Sequence, residues 1–382
     1  MPPRYKPASI PIIKTIRSLI LAATLWFLAR PANGEPALKD AFKNDFLVGA
    51  ALNQSQFCES NTVEAQLVKQ QFNCISPENV LKWGRFHPQP GKFDFSLADR
   101  YVDFGLTNRM TVIGHNLIWH QQTPAWVFQD DHGHSVDRET LLARMHEYIL
   151  TVVGRYRGKI HGWDVVNEAL NDDGTLRQTP WLKIIGEDYL VKACQFAHEA
   201  DPQAELYYND YELENIPKRR GAIELIKKLQ SQGIPLTAVG LQGHYRLNWP
   251  SVSQIESTIS SFSQLNLKVM ITELDVDVLP APSEPGNAGV SQSFANEKQW
   301  NPYTAGLPPD LEQKLADRYS ELFQLFARHR DVITRVTFWG VTDADSWLNY
   351  YPVRGRTNYP LPFARDGKPK KAFTAILQAA QP

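Results

Sequence analysis

The stretch Ile160-His161-Gly162-Trp163-Asp164-Val165-Val166-Asn167-Glu168 is a short apolar run that stops on two polar residues. Residues 160–166 read as a buried strand, too short for a helix and rich in large and β-branched side chains. Amphipathic stretches at 138–155 and 189–200 flank it. The same unit recurs along the chain. Candidate strands occupy 46–52, 72–76, 111–118, 160–166, 204–208, 236–241, 268–272 and 335–339, and further helical patterns cover 217–232 and 311–330. Eight strands alternating with helices imply an α/β protein with a parallel sheet, and the number eight implies closure into a single (β/α)8 TIM barrel. A doubly wound sheet is the structural alternative, but no Gly-rich phosphate fingerprint follows the first strand.

The chain shows no internal repeat, low-complexity tract or Gly/Ser linker. One segment breaks the rhythm. Residues 280–309 are rich in Pro, Gly, Ser and Asn and lack periodicity, which predicts a long loop on the face where the strands end.

The N-terminus reads separately. Arg4, Lys6, Lys14 and Arg17 precede the apolar run 18–29, which is short for a bilayer span but suits a signal-peptide core. Ala32-Asn33-Gly34 supplies small residues for cleavage, so 1–34 is expected to be a signal peptide cut after Gly34 and 35–382 the mature domain; an uncleaved anchor is the alternative. Cleavage removes five basic residues and no acid, leaving 35 basic against 41 acidic residues. The predicted product is secreted, extracellular or periplasmic, with no membrane contact after cleavage. The full chain has 40 Lys+Arg against 41 Asp+Glu, which excludes a strongly basic nucleic-acid binder. With 43% apolar and 21% charged residues, the composition is that of a folded domain. Cys58, Cys74 and Cys194 cannot form a disulfide scaffold; a Cys58–Cys74 bond is the alternative to buried free thiols, which are expected.

In a β/α barrel, chemistry sits where the strands end. Those ends are loaded here: Glu78-Asn79 and Lys82-Trp83, then His115 with Trp119-His120-Gln121-Gln122, then Asn167-Glu168. Next come Asn209-Asp210-Tyr211, Gln242-Gly243-His244, Glu273-Leu274-Asp275, and Trp339 with Trp347. Glu168 and Glu273 follow apolar strands on roughly opposite sides of the predicted mouth. Two facing carboxylates suit glycoside hydrolysis, one as acid/base and one as nucleophile. Structural ion pairing is the competing reading of each alone. Asn167 is placed to bind a substrate hydroxyl, and a His244–Asp275 chain would hold Glu273 ionised. Trp83, Trp119, Trp339 and Trp347 are candidates for stacking on sugar rings, whereas Trp126, Trp163 and Trp181 are expected in the core.

Metal chemistry finds little support. His115 and His120 are five apart, so on an extended strand they face opposite sides, and His132-Gly133-His134 is loop-like without a nearby Cys. No metal and no cofactor are expected. A G-x-S-x-G nucleophile elbow is absent.

Five motifs carry a family resemblance. Glu78-Asn79-x-x-Lys82-Trp83, Gly114-His115-x-Leu117-x-Trp119-His120, Trp163-Asp164-Val165-Val166-Asn167-Glu168, Gly240-Leu241-Gln242-Gly243-His244 and Thr272-Glu273-Leu274-Asp275 resemble glycoside hydrolase family 10. The resemblance runs in order from about residue 40 to the C-terminus. It implies an endo-β-1,4-xylanase that retains anomeric configuration, with Glu168 as acid/base and Glu273 as nucleophile. It also implies supporting roles for His244, Asp275 and Asn167. Glu78, Asn79, Lys82 and Gln122 would grip the next sugar toward the non-reducing end. His115, Trp119 and Gln242 would line the central subsite, Trp339 and Trp347 the glycone wall, and Tyr211 the leaving-group side. The implied partner is xylan or its oligosaccharides, with no nucleic acid, and a monomeric lone catalytic domain is expected. Two departures stand out: Glu212 occupies a position where the family often carries Asn, and the 280–309 loop is long.

Overall fold

The computed structural model describes residues 36–282 and 294–380, together with residues 1 and 3. The expected signal peptide thus lies almost wholly outside the described residues, as does 283–293 of the irregular segment.

Eight strands form the barrel: β1 Leu47–Leu52, β2 Cys74–Pro77, β3 Thr111–Ile118 and β4 Gly162–Asn167, then β5 Glu205–Asp210, β6 Leu236–Leu241, β7 Lys268–Asp277 and β8 Ile333–Phe338. A helix follows each: α1 Thr62–Gln71, α2 Ser96–Thr107, α3 Arg138–Arg155 and α4 Tyr189–Ala200, then α5 Ile216–Ser231, α6 Val252–Ser263, α7 Pro309–Arg328 and α8 Lys371–Ala379. Every strand pairs in parallel with both neighbours, and β8 returns to β1 in the register Leu47↔Arg335 to Ala50↔Phe338. The barrel expected from the sequence is therefore closed.

Barrel strands are covered on one face by the helices and on the other by their own interior, which explains their near-continuous burial. Cys74, Ile113, Tyr207, Ala238 and Met270 pack together as a layer from five strands. Gly162 makes room for it, since a Cβ there would lie 2.2 Å from the Tyr207 hydroxyl. Side-chain caps and a proline start several of the helices. Asp137 accepts the Thr140 N–H at the head of α3, Ser251 and Gln254 cap α6 reciprocally, and Pro309 opens α7.

Several expectations change. The seventh strand continues to Asp277 rather than stopping at 272. A further short strand, His244–Arg246, extends the sheet by pairing with its end, His244 opposite Asp275. All three cysteines are free, but Cys58 is only partly buried. Trp163 and Trp181 are core residues as expected, whereas Trp126 is partly exposed. Among the described residues, no helix is long and apolar enough to cross a membrane.

Candidate active site

Register shifts in the ladder aim side chains into the barrel mouth. Between β7 and β8, Ile271 pairs with Val336 but Leu274 pairs with Phe338. The extra residue on β7 lies at Thr272-Glu273, a bulge of the kind that re-aims a side chain. The Glu273 N–H donates to the Gln242 carbonyl at 2.7 Å, which ties the bulge to the end of β6. Glu168 follows β4 directly and adopts φ +56°, a left-handed conformation uncommon for glutamate. Its N–H donates to the Asn209 carbonyl at 2.9 Å.

The two carboxylates have different surroundings. Glu273 is 5% exposed. One of its oxygens accepts from Asn209 Nδ2 at 2.8 Å and the other meets His244 Nε2 at 3.2 Å. Burial alone would raise its pKa. The His244 hydrogen bond, the charges of His115 and His244 and the Asn209 amide outweigh that, and the carboxyl sits below its ordinary value. His244 Nδ1 lies 3.1 Å from Asp275, which also accepts from the Trp347 indole at 2.7 Å. Burial opposes the His244 charge, but Asp275 and Glu273 dominate and raise its pKa to about 10. Asp275 itself is pushed up by burial, with His244 and Trp347 opposing.

Glu168 is half-buried. It accepts from the Trp119 indole at 2.8 Å and from Gln242 Nε2 at 3.0 Å. Gln242 Nε2 also lies 3.4 Å from Asn167 Oδ1, which accepts from Asn209 Nδ2 at 2.9 Å. Asn209 thus reaches Asn167 on one side and Glu273 on the other. Gly240 permits this, because a Cβ there would lie 2.3 Å from Asn209 Oδ1. The Thr272 hydroxyl donates to that same oxygen at 2.6 Å and orients the amide.

Toward β2, Lys82 is buried and lies 4.9 Å from the Trp119 ring centroid and 6.0 Å from that of Trp339. Its ammonium donates to Asn79 Oδ1 at 3.3 Å, and Asn79 Nδ2 donates to Glu78 at 3.0 Å. Burial raises the Glu78 pKa against the pull of Lys82. Burial lowers that of Lys82 against Glu273, Glu78 and Glu168. His115 Nδ1 meets Asp164 at 2.9 Å. Trp347 stacks on Tyr351 with centroids 5.0 Å apart. On the β5 side, the Tyr211 ring sits over the Lys218 ammonium at 3.1 Å.

One cleft across the barrel mouth collects the site residues expected from the sequence. Glu78, Asn79, Lys82, His115, Trp119, Gln122, Asn167 and Glu168 line it from β2, β3 and β4. Tyr211, Gln242, His244, Glu273, Asp275, Trp339 and Trp347 line it from the ends of β5, β6, β7 and β8. The structure also adds Glu212, Arg246, Trp249, Asp277 and Tyr351 to the wall. Arg246 and Asp277 carry a signal in sequence: they lie two residues past His244 and Asp275 respectively, in period with them along extended backbone. In sequence, Asn209 stands out only as part of a polar strand end. Trp83 is a correction. It opens a helical turn, Trp83–Phe86, is 2% exposed and stacks on Tyr148 at 3.5 Å, away from the cleft. Among the described residues, no group of three or more metal-ligating side chains is gathered.

The family model for glycosyl hydrolase family 10 matches residues 37–379. The chain belongs to this family. Its resemblance to curated relatives extends over nearly the whole length. Endo-1,4-beta-xylanase A of Xylanibacter ruminicola is 41% identical over 366 residues, covering 96% of this chain and 99% of the relative. Beta-1,4-xylanase of Dictyoglomus thermophilum is 40% identical over 364 residues, 94% and 96%. A solved family-10 endoxylanase from a sugarcane soil metagenome superposes with a TM-score of 0.86 at 42% identity, covering 91% of this chain and all of that one. This family-10 protein is accordingly a glycoside hydrolase.

Proposed function

We propose that the protein is an endo-β-1,4-xylanase that cuts internal xylosidic bonds of xylan by double displacement with retention. The observation that carries this reading is the contrast between the carboxylates. Glu273 is buried, hydrogen-bonded on both oxygens and held below its ordinary pKa. That suits a nucleophile, ionised and fixed in place. Glu168 is half-buried beside the cleft, with Trp119 and Gln242 orienting it. That suits an acid/base that must exchange protons with substrate and water.

The steps follow. Glu273 attacks the anomeric carbon while Glu168 protonates the departing glycosidic oxygen, leaving a covalent glycosyl-enzyme. Glu168, now ionised, takes a proton from water, and the water oxygen displaces Glu273. Asn167 contacts the 2-hydroxyl of the sugar under attack. Glu78, Asn79, Lys82 and Gln122 grip the next glycone sugar. His115, Trp119 and Gln242 line the central subsite. Trp339 and Trp347 wall the glycone, and Tyr211 receives the leaving group. Xylose lacks the hydroxymethyl arm of glucose, so a close indole wall at Trp347 selects against glucose by steric clash. Glu273 supplies the nucleophile and Glu168 moves the protons, so the reaction needs no metal and full activity is expected in a strong chelator.

The 41% and 40% identical relatives bearing xylanase names support the substrate. The test is NMR of the anomeric proton during hydrolysis of soluble xylan. Early β-anomer meets the expectation, and early α-anomer overturns the assignment of the carboxylate pair. We also propose that residues 1–34 direct export and are removed, giving a monomeric secreted enzyme. Intact-mass measurement of protein recovered outside the cytoplasm tests this, and a retained N-terminus refutes it.

A further inference from the structure

We propose that Arg177 is a positioning residue that locks the acid/base Glu168 to the leaving-group platform Tyr211. This rests on the reading of Glu168 as acid/base. Arg177 lies in the crossover after β4 and does not line the cleft. Its N–H donates to the Ala169 carbonyl at 2.8 Å, which folds the crossover back toward the strand end. The guanidinium then makes three contacts. Nε donates to the Glu168 carbonyl at 3.3 Å, and Nη2 donates to the Leu170 carbonyl at 2.9 Å and to the Tyr211 hydroxyl at 2.8 Å.

The Glu168 backbone explains why such a clamp is needed. At φ +56° the residue sits in a conformation that persists only when its surroundings over-determine it. Asn209 holds the peptide before it and Arg177 the carbonyl after it. Tyr211 is fixed as firmly. Its N–H donates to Asp210 at 2.9 Å and its ring covers Lys218. Lys218 is fully buried and lies 3.0 Å from Asp210. One planar, always-charged fork therefore joins two parts that must keep register: the proton donor and the surface carrying the sugar that receives the proton. Lysine cannot copy the planar arrangement of these donors.

The test separates proton delivery from general scaffolding. Arg177→Met should lower kcat/KM on xylan about 30-fold, since a misplacement of reacting groups by ~1 Å can cost ~10²-fold. On 2,4-dinitrophenyl β-xylobioside, whose leaving group needs neither protonation nor a sugar platform, kcat/KM should stay within about twofold. On that substrate kcat and KM should fall together, as a mispositioned base slows breakdown of the glycosyl-enzyme. Arg177→Lys should recover part of the loss on xylan. Equal losses on both substrates, or none on xylan, overturn the proposal. If Arg177→Met does not fold, Arg177→Lys carries the same two-substrate comparison. Should Glu168→Ala lose kcat/KM on the dinitrophenyl substrate as heavily as on xylan, the acid/base reading itself fails, whatever Arg177 does.

Discussion

The β7 and β4 sides of the cleft present the same side chain in opposite settings. Glu273 sits inside the sheet on a bulge, with a histidine and an amide on its two oxygens. Glu168 sits just beyond its strand, half-exposed, with an indole and an amide as partners. A cationic neighbour favours charge, and a half-open site with neutral donors leaves room for proton exchange. On the proposed roles, the division of labour comes from neighbours, not from the glutamates themselves.

The largest effect should come from the buried side. Glu273→Ala is expected to lower kcat on xylan by more than about 10⁴-fold, because the covalent route is lost. Azide should restore turnover with a product of inverted configuration. If rescue gives retained product instead, the two carboxylates have exchanged roles. On the exposed side, Glu168→Ala should cost about 10²- to 10⁴-fold on xylan. Its kcat/KM on the dinitrophenyl substrate should hold near wild type, and a parallel collapse would erase the contrast.

A smaller effect probes what makes the settings differ. His244→Ala should lower kcat roughly 10²-fold, as expected for removal of one preorganised donor. It should also change stability with pH. The fold raises His244 from 6.5 to about 10, so its contribution is complete below pH 6.5 and fades as pH climbs toward 10. Glu273 is depressed below 4.5, so its share is present above that value and is lost on acidification. The Tm gap between wild type and His244→Ala should therefore be widest between pH 4.5 and 6.5. A gap independent of pH would mean the ion pair does not couple to folding. The smallest effect is expected from Trp347→Ala, about tenfold on xylan, with a several-fold rise in the glucoside-to-xyloside activity ratio, as befits one apolar wall.

Reading from sequence succeeded where one period dominates. Buried strands such as Val165-Val166 declare themselves by composition, and helices such as Arg138–Arg155 by their repeat. It stopped short where tertiary pairing overrides local signals. Glu273-Leu274-Asp275-Val276-Asp277 alternates acidic and apolar residues and reads as the exit of a strand, yet β8 and the segment His244–Arg246 keep it extended. Trp83 follows Lys82 in sequence but points elsewhere, because a single helical turn rotates its ring onto Tyr148. The roles of Asn209 and Arg177 are not legible in sequence, because they lie in partners 42 and 64 residues away for the first and in three separate acceptors for the second.

The seam between β1 and β8 has a consequence for how the molecule comes into being. Leu47 pairs with Arg335, so the ring closes only when the last strand meets the first across nearly the whole polypeptide. On a ribosome, β1 emerges long before its second neighbour exists and must wait with one flank unpaired. Such long-range pairing is slow and leaves strand edges exposed meanwhile. Until residue 338 has left the exit tunnel, the nascent sheet stays open, and the two carboxylates cannot yet face each other across a finished mouth.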